Sequence, residues 1–242
     1  MFPLLPETRP AARQGLMVGF ATGLYGISFG ALAVAAGLTV WPAVLLSALL
    51  FSGGSQFALI GVIASGGSGA AAVAASTLLG LRNGFYGLQM ARILQVRGWR
   101  RAVAAQLTID ESTAVALGQP DAATQRVGFW ATGLSVYVVW NAMTLAGALL
   151  GNALGDPKAW GLDAAASGAF MALLWSRLNT RAARVTALAA AGVALVATPL
   201  VPPGLPILLA ALVAVLAGSR PGRFGPASTD EGDELTSVEP RP

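Results

Sequence analysis

Between Gln14 and Leu81 the chain carries not one charged side chain. At 1.5 Å per residue that interval is on the order of 100 Å of helix, against a hydrocarbon core of ~30 Å, and it predicts about three membrane crossings. The first is expected from about Arg13 to Ala36, where Gly15, Gly19, Gly23, Gly26 and Gly30 recur every three or four residues and so share one face. Small residues on one face of a membrane helix let a neighbour approach closely. The second opens at Trp41-Pro42 and contains Phe51-Ser-Gly-Gly-Ser-Gln-Phe57, small and polar residues set in the apolar run from Ala43 to Ala64. Adjacent glycines each weaken a helix by roughly 1 kcal/mol relative to alanine, and unwound backbone at mid-depth survives only inside protein or beside a watery cavity. A discontinuous helix is therefore expected here; a close-packing surface is the alternative. The third crossing is expected from about Ala70 to Met90, after the turn Gly66-Gly67-Ser68-Gly69.

Beyond the third crossing, arginines at positions 92, 97, 100 and 101 mark a basic loop. The segment from Ala102 to Gly118 is short and carries Asp110-Glu111, so it reads as re-entrant. Further spans are expected from Val127 to about Leu150, from Trp160 to Leu178, and as a hairpin of Val185 to Leu200 and Leu205 to Leu216. Short cytoplasmic loops are enriched in Lys and Arg. With Ala102 to Gly118 re-entrant, the loops at Arg92 to Arg101 and Arg177 to Arg184 both fall in the cytoplasm, and seven crossings result with the N-terminus outside. Making the Phe51 segment re-entrant as well gives six, with the N-terminus inside. Seven is preferred because the long uncharged interval has room for three crossings. The echo between Gly19-Phe-Ala-Thr-Gly-Leu24 and Gly128-Phe-Trp-Ala-Thr-Gly-Leu134 would then relate inverted units. The fold class is an all-α polytopic membrane protein with about seven helices, broken or re-entrant segments and a hint of inverted repetition. Residues 1–12 form an irregular or interfacial lead, 13–218 the transmembrane domain, and 219–242 a disordered cytoplasmic tail.

Composition agrees and narrows the chemistry. The 242 residues are 55% hydrophobic and 11% charged, with a mean hydropathy of +0.66. Cysteine and histidine are both absent, which removes disulfides, thiolate nucleophiles, imidazole bases and imidazole or thiolate metal ligands together. No cofactor or metal is expected. The net charge of +4 comes from arginines clustered at span ends, which is membrane topology and not a nucleic-acid surface.

Charges inside the membrane carry the candidate chemistry, because each costs about 2.5 to 3.5 kcal/mol to insert and so needs a partner or a role. Arg82, Asp110, Glu111 and Asp163 are the candidates. Arg82 either snorkels or neutralises a carboxylate. Asp110 and Glu111 point about 100° apart on a helix. Asp163 opens an apolar helix, either as an N-cap or as a proton-exchanging carboxylate.

The motifs Gly26-Ile-Ser-Phe29-Gly30, Phe51-Ser-Gly-Gly-Ser-Gln56-Phe57, Leu81-Arg82-Asn83-Gly-Phe-Tyr86, Asp110-Glu111-Ser112 and Gly161-Leu162-Asp163-Ala164 resemble the AzlC family, over about Gly15 to Leu216. The chain departs from the family in carrying Asn83 where a histidine is usual and Ile109 where a threonine is usual. The resemblance implies the large subunit of a branched-chain amino acid exporter of the cell inner membrane. Its implied partners are the lipid bilayer, a small neutral amino acid and a small AzlD-like membrane subunit, with proton coupling a further inference. On that reading Ser52, Gly53, Gly54, Ser55, Gln56, Phe57 and Phe29 line a substrate site, while Arg82, Asn83, Asp110, Glu111 and Asp163 set its charge or carry a proton. A channel or carrier for another small solute fits the same architecture. An intramembrane enzyme and a scaffolding subunit are weaker alternatives, and no enzymatic activity is expected.

Overall fold

The structure is a computed structural model and describes residues 6–153, 171, 174–175, 178–202 and 205–218. Asp163, the expected helix from Trp160 to Leu178 in all but a few positions, and the tail 219–242 lie outside the described residues. Every regular element among the described residues is helical: α1 Arg9–Gly23, α2 Gly26–Ala35, α3 Val40–Leu49, α4 Gly53–Ala64, α5 Gly69–Leu94, α6 Trp99–Gln106, α7 Asp110–Leu117, α8 Ala122–Ala153, α9 Arg181–Ala197 and α10 Leu205–Gly218. Two stretches are long and apolar enough to cross a membrane by length and composition, Pro6–Ala35 and Ala122–Ala153.

Those two stretches pack against each other along their length, and the glycines explain how. A methyl group built on Gly15 would lie 2.8 Å from Thr132 Oγ1, and one on Gly23 would lie 2.6 Å from Val139 Cβ. On Gly30 it would collide with the Thr144 carbonyl, and on Gly147 with that of Ile27. Only residues without a Cβ let these backbones touch. The partners rise together along both chains, so α1–α2 and α8 run parallel. The echo at Gly19 and Gly128 therefore relates parallel helices and not the inverted pair expected.

Directions of the remaining helices follow from their contacts. The α2 end of the pair meets the end of α8, where a methyl on Gly151 would touch Ala31 at 3.2 Å. From there α3 descends along α8 to mid-depth, where Ser47 Oγ and Thr144 Oγ1 are 3.2 Å apart. Then α4 turns back. It runs antiparallel to α5, with Gly54 beside Arg82, Ser55 beside Gly80, and Ala58 and Val62 packed with Ala72 and Ala75. The far end of α5 is fixed at the start of α8 by the hydrogen bond from Arg126 Nε to the Ile93 carbonyl, 2.8 Å. So α5 runs the length of the bundle back to the start of α8, and α3–α4 is a hairpin whose outer ends lie where α8 ends.

The second hairpin mirrors the first. Helix α6 starts beside that Ile93–Arg126 junction and reaches mid-depth at Leu107, against which a methyl on Gly133 would lie at 3.0 Å. Helix α7 returns to Gln119, which donates to Gln14 Oε1 at 2.9 Å. The stretch expected to be re-entrant, Ala102 to Gly118, forms a helical hairpin whose outer ends lie where α8 begins. With 10, 12, 8 and 8 residues, α3, α4, α6 and α7 are each about 12 to 18 Å long, half of a ~30 Å core.

This path differs from the preferred seven-crossing arrangement in the stretch α3–α4, which doubles back along the bundle instead of continuing as one span. The interval from Gln14 to Leu81 spends its length on one crossing, a hairpin that goes halfway and returns, and part of α5. Its N-terminal end lies on the side where α8 begins, together with Arg9, Arg13, Arg92, Arg97, Arg100, Arg101 and Arg126. Helices α9 and α10 form a hairpin that packs Ile207 and Leu208 near the other end of α5, which sets Arg181 and Arg184 on the arginine-rich side too. Among the described residues the loops on the other side, 36–39, 65–68 and 198–202, carry no charge.

Candidate functional site

The tips of the two hairpins meet at mid-depth, and hydrogen bonding explains how unwound backbone is tolerated there. The last carbonyls of a helix have no partner within it. At the end of α3 each finds one. Gln56 Nε2 donates to the Ser47 and Leu50 carbonyls at 3.1 and 2.7 Å, and Gln106 Nε2 donates to those of Ala48 and Leu49 at 2.8 and 3.3 Å. Tyr137 Oη adds a bond to Ala48 at 3.3 Å. Gln106 ends α6, so this bond links one hairpin tip to the other. The second tip is braced locally: Ser112 Oγ donates to the Leu107 carbonyl at 2.6 Å and accepts from Ile109 N–H at 3.1 Å, while Thr108 donates back to Ala104 at 2.7 Å.

Several predicted lining residues have structural employment. Gln56 is fully buried, and its Oε1 accepts from Trp140 Nε1 at 2.9 Å, so each of its polar atoms is engaged. Phe29 and Phe57 pack edge to face at 5.7 Å and both meet Trp140, forming a closed aromatic core. Ser52 and Ser55 are buried and hydrogen-bonded to one another at 3.1 Å. What the motif leaves available is backbone. Among the described residues no acceptor meets the N–H groups of Gly53, Gly54 and Ser55 at the start of α4, the end of a helix that favours negative charge.

A charged pair stands at that point. Arg82 Nη1 lies 2.7 Å from Asp110 Oδ2, joining the middle of α5 to the first residue of α7. A methyl on Gly54 would be 2.8 Å from Arg82 Nη2, so the guanidinium covers the start of α4 as well, and the glycine leaves it room. Arg82 Nε is out of solvent and lacks an acceptor among the described residues; Asn83 Oδ1, which lacks a donor, and Thr113 Oγ1 are likewise buried without a hydrogen-bond partner there. Thr113 is 3% exposed and one helical turn from Asp110 on the same face of α7. Glu111 is half-buried and, as the next residue along the helix, points elsewhere around α7.

Gly53, Gly54, Arg82 and Asp110, all expected at the site from sequence, lie together in the structure. Reasoning from sequence passed over Gln106, Thr113, Tyr137 and Trp140. Trp140 was detectable in principle, since an indole N–H in the middle of a span needs an acceptor. So was Thr113, three residues from an intramembrane carboxylate.

The pair supplies opposite charges side by side where the hairpin tips meet, with the Arg82 side chain 38% exposed and that of Asp110 16%. Free donors surround the cation. Such a place can take up a small molecule bearing both charges without changing the net charge of the membrane interior. Comparison with curated proteins and with solved structures returned no match. Residues 17–154 match the family model described as AzlC protein, a span that contains both hairpins, Arg82 and Asp110, and the chain belongs to the AzlC family.

Proposed function

We propose that this chain is the large subunit of an inner-membrane exporter for branched-chain and similar small neutral amino acids, working with a small AzlD-like membrane subunit. The family is associated with branched-chain amino acid transport, which supplies the substrate class. The observation that carries the reading for this chain is the Arg82–Asp110 pair at the junction of two half-membrane hairpins entering from opposite sides. Discontinuous helices meeting at the midplane are the usual ground plan of a site reached alternately from either side.

Orientation follows from arginine placement: the arginine-rich side is cytoplasmic. The α6–α7 hairpin then enters from the cytoplasm and α3–α4 from outside. A guanidinium 38% exposed at this depth does not face hydrocarbon at tolerable cost, so this flank of α5 faces water or the small subunit. Asp110, the described carboxylate paired with a cation at this junction, is our candidate to carry a coupling proton.

The test is labelled leucine flux in proteoliposomes holding this chain and its small subunit, with and without an imposed pH gradient. Wild type is expected to move leucine faster with the gradient. Asp110→Asn is expected to lose that acceleration. Leucine flux no greater than in protein-free vesicles, with another solute of the panel moving instead, would replace this reading by a carrier of different selectivity.

A further inference from the structure

We infer that the unpaired edge of the Arg82 guanidinium is the carboxylate receptor of the site and Asp110 the ammonium receptor, so that the protein selects α-amino acids by requiring both groups. The inference rests on the exporter reading and deepens it. A guanidinium offers two faces for bidentate contact: the end formed by its two terminal nitrogens and the side formed by Nε and Nη2. Asp110 holds Nη1. Nε is out of solvent without an acceptor among the described residues, and Nη2 sits over Gly54. The side edge thus has no acceptor among the described residues, and its Nη2 end lies at the start of α4, where the N–H groups of Gly53, Gly54 and Ser55 also lack acceptors.

Cation and helix N-terminus repel one another. Their proximity makes sense when an anion lies between them. Asp110 does not fill that role, because it meets the opposite terminal nitrogen. A carboxylate bound at the side edge receives two parallel N–H bonds and further backbone donors. It also brings the local charge to −1, with Arg82, Asp110 and the guest counted together. An ammonium group on the same guest, set against Asp110, restores neutrality. A monocarboxylate leaves the negative charge uncompensated, and a simple amine leaves the receptor edge empty. Thr113, buried one turn from Asp110 with its hydroxyl unpartnered among the described residues, is placed on the carboxylate-bearing face of α7 to share in this contact.

Binding of labelled leucine to the purified chain with its small subunit tests the assignment, using 4-methylpentanoate (leucine without its ammonium) and 3-methylbutylamine (leucine without its carboxylate) as competitors. Both analogues are expected to compete about tenfold or more weakly than leucine itself, the loss from one charge-assisted bond. Arg82→Lys keeps the charge and the reach to Asp110 but loses the planar edge. It should weaken leucine about tenfold or more and leave competition by the amine unchanged. Gly54→Ala, which pushes Nη2 from the start of α4 with every charge intact, should move leucine in the same direction and spare the amine. Leucine binding within about twofold of wild type in Arg82→Lys, or equal loss of leucine and amine, overturns the receptor assignment and leaves transport standing. A wild-type protein that neither binds nor moves leucine overturns the exporter reading together with it.

Discussion

Gln56 shows how a residue chosen for one role from sequence turns out to hold another. A polar side chain in a broken membrane helix invites a substrate contact, yet here its amide donates to two carbonyls of α3 and accepts from Trp140. Replacing it by alanine leaves two buried groups without partners, the Ser47 carbonyl and the Trp140 indole N–H, at about 1 to 3 kcal/mol each, while the Leu50 carbonyl keeps its bond from Ser52 N–H. Gln56→Ala is therefore expected to lower Tm in detergent by several degrees or to prevent folding. Gln56→Glu retains the acceptor for Trp140 but removes both donors and sets an anion against helix-end carbonyls. It should be at least as damaging, and a thermal-stability comparison decides this. A substrate-contacting Gln56 would instead give variants of normal Tm that fail only in transport. Asp121 is a second case in which one side chain fixes a helix end. Its carboxylate accepts from Thr124 N–H at 3.0 Å, Thr124 Oγ1 at 2.8 Å and Ala123 N–H at 2.9 Å, and those bonds to Thr124, first through its backbone, hold its pKa below the ordinary 3.8. A depressed folded value means the stabilisation is full above the unfolded value and is lost as pH falls through the lowered folded one. Amide exchange at Ala123 and Thr124 should accelerate in Asp121→Ala at neutral pH, with the difference from wild type vanishing in acid below that range.

At the level of elements, what the sequence revealed and what it hid divide along a physical line. Local breaks were readable: paired glycines beside serines at 52–55 interrupt a helix wherever they occur, and Asp110 is a natural first residue of one. Whether the chain continues across or doubles back after a break depends on which surface the next helix packs against, which composition does not encode. For α4 that surface is α5, through Ser55 against Gly80 and the small side chains Ala58, Ala72 and Ala75. The five-glycine stripe was likewise readable as a contact face, but its partner α8, and the parallel direction, emerge only from structure. Glycines with and without a partner should therefore differ sharply. Gly30→Ala drives a methyl into the Thr144 carbonyl and should destabilise by about 1 to 3 kcal/mol or more. Gly61→Ala meets open space within an α-helix and should stabilise by about 0.5 to 1 kcal/mol. Unfolding of the two variants, followed by the retained folded fraction on size-exclusion after heating, is expected to shift in opposite directions.

For the whole molecule, the two hairpins redistribute charge in a way that a seven-crossing chain does not. With α3–α4 turning back, the arginines of α1, of the loop after α5, of the start of α8 and of α9 share one side, and the described loops of the other side carry none. An N-terminus outside would have left Arg9 and Arg13 against the positive-inside rule; the orientation proposed above, with the arginine-rich side cytoplasmic, removes that conflict. The path of the chain also gives the molecule the symmetry that the echo at Gly19 and Gly128 only hinted at, located in the hairpins instead: one half-membrane helix pair from each side, tied tip to tip by Gln106. Because the chain lacks cysteine, single substitutions report sidedness directly. Cysteines at Glu7 and Gln95 should react with an impermeant maleimide from the cytoplasmic face, and cysteines at Thr39 and Ser68 from the outer face. The decisive comparison is Thr39 with Ser68, since these flank the α3–α4 hairpin. Labelling from the same side requires a segment that returns, whereas labelling from opposite sides requires one that crosses, and would undo the mid-depth junction on which the site is built.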